Sequence, residues 1–290
     1  MKRRTGRVFL AALALAAVLA GCGGEKTADR AILAVSFGTS YADSREKTIG
    51  AVEEALRTAF PDYQVRRAFT SQTIIDILAE RDGLEIDNVG QALELAAEEG
   101  IQRLVVQPTH LMSGYEYTEL AEELAAHKDA FAELALAKPL LSSESDFDAV
   151  AEAIVADTAA YDTEGTAICF MGHGTEADAN GVYEKLQEVL REKGYANYFI
   201  GTVEAEPSFE DVLAAVRAGG YTRVVLQPLM LVAGDHANND MAGDGEDSWK
   251  SRFAQEGFQV ECVLRGLGEI PAIQDIYAAH TQAAVDSLEK

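Results

Sequence analysis

Three cysteines, six prolines and one tryptophan in 290 residues leave little room for several kinds of protein. No CxxC spacing exists, which excludes thiolate zinc sites and iron–sulfur clusters. Cys169 and Cys262 each lie inside an apolar run and read as core residues, so a disulfide framework is not expected either. Positive charge is also scarce: 24 Lys and Arg face 48 Asp and Glu, for a formal net charge of −24. A surface this acidic repels polyanions, which argues against nucleic acid or anionic lipid as a partner. Long apolar runs are lacking too. The best, Val8 to Ala20, is short for a membrane span.

What that run offers instead is an export signal. Lys2, Arg3, Arg4 and Arg7 precede it, and the small-residue ending Leu19-Ala20-Gly21-Cys22 closes it. The ending resembles a bacterial lipobox, which implies cleavage before Cys22 and lipid attachment to its thiol. A plain signal peptide and an uncleaved anchor are the alternatives. The expectation is an exported protein, lipid-anchored on the periplasmic or extracellular side, that touches the membrane through its lipid alone. Residues 1–22 would be the signal and residues 23–30 a tether.

From Ala31 onward, short apolar runs alternate with stretches of helical spacing. Ala31 to Phe37, Tyr63 to Phe69 and Arg103 to Pro108 read as strands, with helices over Ser44 to Phe60, from Ser71 through Leu78, and over Val89 to Glu99. A further helix is expected over Thr118 to Ala130 and a short strand within Phe131 to Pro139. After the polar break Ser142 to Asp146 the pattern begins again: strands at Ala167 to Met171, Tyr198 to Glu204, Arg223 to Pro228 and Gln259 to Leu264, and helices between and after them. Such alternation means parallel sheets covered on both faces. The expected fold is α/β, two lobes spanning residues 31–142 and 143–290.

The lobes are an internal repeat. Phe37-Gly38-Thr39 corresponds to His173-Gly174-Thr175, and Arg103 to Pro108 corresponds to Arg223 to Pro228. Each of the latter strands is followed by an apolar stretch and a glycine six residues past its proline. Two positions beyond that glycine stand Glu116 in the first copy and His236 in the second. A duplicated α/β protein usually builds its site in the cleft between copies. Here the second copy carries histidine where the first carries Phe37 and Glu116, so the chemistry should be asymmetric.

Cys169-Phe170-Met171-Gly172-His173-Gly174-Thr175-Glu176 places His173 where a strand ends and a helix is about to begin, the edge at which open α/β sheets bind ligands. For this turn alone, a capped turn with a merely exposed histidine is an equal reading. Three such turns in the second lobe carry His173, Glu204 and His236. Side chains from neighbouring strand ends can converge on one ion, and two imidazoles with one carboxylate suit a divalent first-row metal with open positions. Glu206 competes with Glu204 but lies two residues further from the strand. His110, at the position Met230 holds in the repeat, reads as packing beneath the cleft; ligation of haem is the sharper option. His127 and His280 read as solvated, Trp249 as a core anchor, and Gly219-Gly220 as a helix stop.

Ser36-Phe37-Gly38-Thr39-Ser40, Gln107-Pro108-Thr109-His110, Met171 to Thr175, Gly201 to Glu204, and Gln227 through Gly243 together resemble the anaerobic cobalt chelatases, the sirohydrochlorin cobaltochelatase family of cobalamin synthesis within the class II chelatases. The resemblance runs from about Ala31 to the C-terminus. It implies two flavodoxin-like lobes and metal insertion into a tetrapyrrole without a nucleotide. The family's metal-binding His, Glu and His fall on His173, Glu204 and His236. Glu116 matches a further acidic cleft position and joins His173 as a candidate proton acceptor. The metal implied is Co2+, with Fe2+, Ni2+ or Zn2+ as alternatives; haem is a further ligand that no motif supports. Phe37, Tyr115 and Arg45 are the expected substrate contacts, with Lys47 and Arg67 as additional basic candidates for a carboxylate-rich ring. An anchored metal or tetrapyrrole receptor without turnover is the competing reading. No periodic seam identifies a homo-oligomer interface.

Overall fold

An uninterrupted apolar strand must be covered on both sides, and Arg30–Ser36 (β1) shows how. Ile32 and Ala34 point into one core layer, while Ala31, Leu33 and Val35 point into another. The computed structural model describes residues 29–289. The expected signal segment, Cys22 and most of the tether lie outside that range. Arg30, expected in the tether, is the first residue of β1 and pairs with Arg103.

The remaining strands are Gln64–Phe69 (β2), Arg103–Pro108 (β3), Glu133–Leu136 (β4), Thr166–Gly172 (β5), Tyr198–Thr202 (β6), Arg223–Pro228 (β7) and Gln259–Cys262 (β8). They form two parallel four-stranded sheets, ordered β2-β1-β3-β4 and β6-β5-β7-β8. The repeat holds at the level of register: Val35 pairs with Pro108, and Met171 with Pro228. Phe37 and His173 therefore occupy equivalent places, two residues past those pairs. Both following glycines have positive φ, +102° at Gly38 and +88° at Gly174.

Helix bounds shift by a few residues from those read in the sequence. Helical backbone runs without a break over 42–59, and the helix expected from Thr118 begins at Tyr115. That earlier start puts Glu116 in the first turn of Tyr115–Ala126. The strand expected to reach Glu204 stops at Thr202. The Val203 and Glu204 amides donate instead to the His173 carbonyl, at 3.2 and 2.9 Å, which folds the chain end around the neighbouring turn.

The helix Pro271–Leu288 packs on β3, β4 and the helix Ala51–Ala59 of the first sheet. Tyr277 Oη donates to the Thr109 carbonyl at 2.8 Å and Thr281 Oγ1 to Gln107 Oε1 at 2.8 Å. One apolar layer, with Ile32, Val105, Phe147, Ile168, Tyr198 and Tyr277, runs continuously between the sheets. His280, expected to be solvated, is held in this seam: Nε2 lies 3.1 Å from Asp146 Oδ1 and Nδ1 3.2 Å from the Lys138 carbonyl. A helix amphipathicity argument misses it because its partners come from more than 130 residues away.

Burial pushes the Asp146 carboxyl up, but hydrogen bonds from Ser143 and His280 outweigh it and hold the group below its ordinary range. Its stabilising contribution is present above the unfolded-state value of about 3.9 and is lost as pH falls through the lower folded value. Asp146→Asn should therefore cost about 1–2 kcal/mol near neutral pH. The gap in thermal midpoint from the native protein should close in acid; a gap that is the same at both pH values would contradict the assignment.

Candidate metal centre

The carboxyl ends of β5, β6 and β7 face the carboxyl ends of β1 and β3 across a cleft of about 490 Å³. His173 follows β5 directly, Glu204 lies in the turn after β6, and His236 begins the helical turn 237–241 beyond β7. One donor atom from each lies within 4.8 Å of the other two, the only such three-residue grouping among the described residues. The imidazoles meet edge to face with centroids 4.7 Å apart. Glu204 Oε2 stands 3.8 Å from His173 Nε2, too far for a hydrogen bond and close to the ~3.4 Å that two ligands of one tetrahedral ion adopt.

Hydrogen bonds fix which nitrogen of each ring is free. His173 Nδ1 lies 2.7 Å from the Gly174 carbonyl, which can only accept, so Nδ1 carries the proton. His236 Nδ1 lies 2.7 Å from Asp240 Oδ2, with the same consequence. Both Nε2 lone pairs are then left for a cation. Asp240 was not singled out in the sequence. Its signal was there, however, because a carboxylate four residues after a histidine on a helical turn can reach back to it. Asp240→Asn should weaken metal binding about 10–100-fold while leaving the fold intact, as read by Co2+ titration. Unchanged affinity would remove Asp240 from the site.

Backbone crowding explains the glycines here. A Cβ on Gly174 would lie 2.8 Å from the Ala205 nitrogen, and one on Gly172 would lie 2.2 Å from the Tyr183 ring. The turns bearing His173 and Glu204 thus touch through bare backbone. Tyr183 is fully buried, and its hydroxyl accepts the Gly174 amide at 3.2 Å. Burial raises its pKa, and the amides of Gly174 and His173 partly offset that.

The opposite wall comes from the first lobe. Phe37, Tyr115 and Glu116 line the cleft, and the two aromatic rings are large exposed apolar groups, 52% and 58% accessible. Arg45 is placed differently from expectation. It is not among the cleft-lining side chains; its Nη1 donates to the Thr39 carbonyl at 3.2 Å and braces the loop after β1 from behind. Arg67 is engaged too, by two hydrogen bonds to the buried Glu53 carboxylate at 2.6 and 2.8 Å. Lys47 sits exposed on the helical stretch 42–59. Sequence reading could not see these pairings, because Arg67 and Glu53 lie 14 residues apart and meet only once the helix Ala51–Ala59 packs on β2.

The lobes are tied at this cleft. The Ala233 amide donates to Ser44 Oγ at 3.0 Å, and Tyr41 Oη reaches Asp235, next to His236, at 3.5 Å. The His236-bearing loop of one lobe is therefore tied to the segment that follows β1 in the other.

The cleft thus carries two oriented imidazoles and a carboxylate on one wall and aromatic rings with a second carboxylate on the other. The sequence matches the model of the cobalt chelatase (CbiK) family over residues 30–286. The chain belongs to that family. A sirohydrochlorin cobaltochelatase of Salmonella typhimurium is 40% identical over 257 residues, covering 89% of this chain and 97% of the relative. Sirohydrochlorin cobaltochelatase CbiKC of Nitratidesulfovibrio vulgaris is 34% identical over 262 residues, covering 90% and 92%. Among solved structures, SirB from Bacillus subtilis superposes with a TM-score of 0.63 at 13% identity, over 90% of this chain and 98% of that one. That last likeness speaks for the two-lobed chelatase fold alone.

Proposed function

We propose that this member of the cobalt chelatase family inserts Co2+ into sirohydrochlorin. The observation that carries the reading is the set of His173, Glu204 and His236 donors facing Phe37, Tyr115 and Glu116 across one cleft. The activity named for relatives at 34% and 40% identity supports it.

The reaction exchanges two pyrrolic protons for one divalent ion, with no change of oxidation state and no nucleotide. His173, Glu204 and His236 hold the ion as substrate, with coordination positions left open for ring nitrogens. The aromatic side chains seat the macrocycle. Glu116, on the far wall, accepts the proton of the first nitrogen to take up the metal. His173 Nε2 is occupied by the ion at the start and becomes free to accept a proton once the ion has moved to the ring.

We further propose that the protein works outside the cytoplasm, tethered by a lipid on Cys22. The charged head, apolar run and Leu19-Ala20-Gly21-Cys22 ending support this. Among the described residues no helix is long and apolar enough to cross a membrane.

The test is an anaerobic absorbance assay on protein lacking residues 1–22, with sirohydrochlorin and Co2+, and Fe2+, Ni2+ or Zn2+ in parallel. Acceleration over the uncatalysed rate, greatest with Co2+, is expected. Stoichiometric binding of metal or tetrapyrrole without acceleration would favour a receptor instead.

A further inference from the structure

We propose that Arg81 selects the acidic ring: its guanidinium, fastened to the Ser40 carbonyl at the rim of the cleft, takes a carboxylate arm of the bound tetrapyrrole. The inference rests on the chelatase reading above and adds a substrate-recognising residue to it.

Sirohydrochlorin is a macrocycle hung with acetate and propionate arms, and it has to enter a strongly acidic protein. The cleft is no exception. Glu116, Glu176, Glu204 and Asp235 line it, and among the described residues no lysine or arginine does. The ring can lie against Phe37 and Tyr115, but arms leaving its edge meet carboxylates unless the rim supplies a cation.

Two guanidiniums reach that rim. Phe37 to Tyr41 is a cleft-lining segment, and two consecutive carbonyls within it, Thr39 and Ser40, accept from Arg45 and Arg81. Arginines elsewhere are engaged with carboxylates of neighbouring elements, as Arg66 is with Glu99, Arg103 with Glu133 and Arg252 with Glu210. Arg45 lies half-buried behind the segment. Burial and the nearby Arg67 charge lower its pKa, with Arg81 adding to the effect and Asp82 opposing it. Positive charge thus gathers at this corner of an acidic molecule. Arg81 is its exposed member, 52% accessible.

Arg81 is held in place without being used up. Its helical stretch, 72–82, lays Ile74 on the cleft wall and is anchored by the fully buried Leu78. Gly83, at φ +62°, closes the stretch, its amide donating to the Ala79 carbonyl at 3.1 Å. A cation in the last turn of a helix is favoured by the helix dipole. Arg81 Nε and Nη2 donate to Asp82 at 2.8 and 2.7 Å, and Nη2 also to Ser40. Among the described residues nothing accepts from Nη1, so one edge of the fork stays open. Asp82 is an immediate neighbour in the chain, and exposed pairs of this kind contribute little and exchange readily. A planar fork pre-placed with an open edge suits a carboxylate better than any lysine would.

The test measures sirohydrochlorin binding and cobalt insertion in Arg81→Gln, Arg81→Glu and Arg81→Lys, with Co2+ titration as the check on an intact cleft. Gln keeps a donor for the Ser40 carbonyl without the charge, and Lys keeps the charge. Sirohydrochlorin affinity should fall about tenfold in Arg81→Gln and further in Arg81→Glu, the loss in turnover appearing in KM rather than kcat. Arg81→Lys should stay close to the native protein, and Co2+ affinity should be native in all three. Added salt should weaken the native protein's hold on the ring more than that of Arg81→Gln. Native ring affinity in Arg81→Glu would overturn the proposal. So would equal losses in Arg81→Lys and Arg81→Gln, which would make the arginine only a brace for the Ser40 loop. A native protein that binds the ring yet does not accelerate insertion would instead overturn the chelatase reading, and the binding measurements would still decide the role of Arg81.

Discussion

His236→Ala and His173→Ala should each bring cobalt insertion down to the uncatalysed rate while leaving the protein folded. Neither imidazole holds up the core: both rings lie at the cleft, and side-chain exposure is 46% for His173 and 32% for His236. What each supplies is an Nε2 lone pair aimed at one point by a hydrogen bond on the other nitrogen. Removing one leaves a two-donor site that cannot hold a divalent ion against water in the cleft. Far-ultraviolet circular dichroism and Co2+ titration would read the two halves of this expectation. A variant that keeps its turnover would remove that histidine from the site, and one that unfolds would show it to be structural.

Gly174→Ala is expected to act through geometry. At φ +88° a side chain is strained wherever it sits, and here the added Cβ would also press on the Ala205 backbone nitrogen at 2.8 Å. The strain is about 1–3 kcal/mol. Relief requires the turns bearing His173 and Glu204 to move apart, although those turns share the hydrogen bonds from Val203 and Glu204 to the His173 carbonyl. Co2+ affinity should fall by about tenfold or more along with the thermal midpoint, since roughly 1.4 kcal/mol corresponds to a factor of ten. Gly83, which also has positive φ but has no atom near its Cβ position, is the control: Gly83→Ala should cost stability without touching metal binding. Equal metal affinity in the two variants would mean that the turn spacing does not matter.

Much of this was legible in the chain itself. The continuous apolar strands and helical spacings gave two parallel sheets, and the Gln-Pro pairs at 107–108 and 227–228 gave the repeat that aligns Phe37 with His173. His173, Glu204 and His236, suggested by strand-end position and singled out by the family resemblance, are the three residues that the structure brings within 4.8 Å of one another, because a strand end is a local property. Groups whose role depends on partners far along the chain were hidden. Arg67 is engaged by Glu53 and Arg45 turns to the Thr39 carbonyl, so neither lines the cleft. His280 is captured by Asp146 across the seam between sheets. His110 differs in kind: its place in the repeat was visible, but only the packed structure shows that its nitrogens have no partner.

In the proposed reaction the ion bound by His173, Glu204 and His236 is the same ion that enters the ring. An isotope-trapping experiment tests this directly: protein preloaded with radiolabelled Co2+ is mixed with sirohydrochlorin and a large excess of unlabelled Co2+, and the first turnover is collected. Label should appear in the product in near-stoichiometric amount per protein, and the His236→Ala protein should deliver none. Product carrying only the diluted label of the bulk solution would contradict the claim, because the metal would then reach the ring without passing through this site.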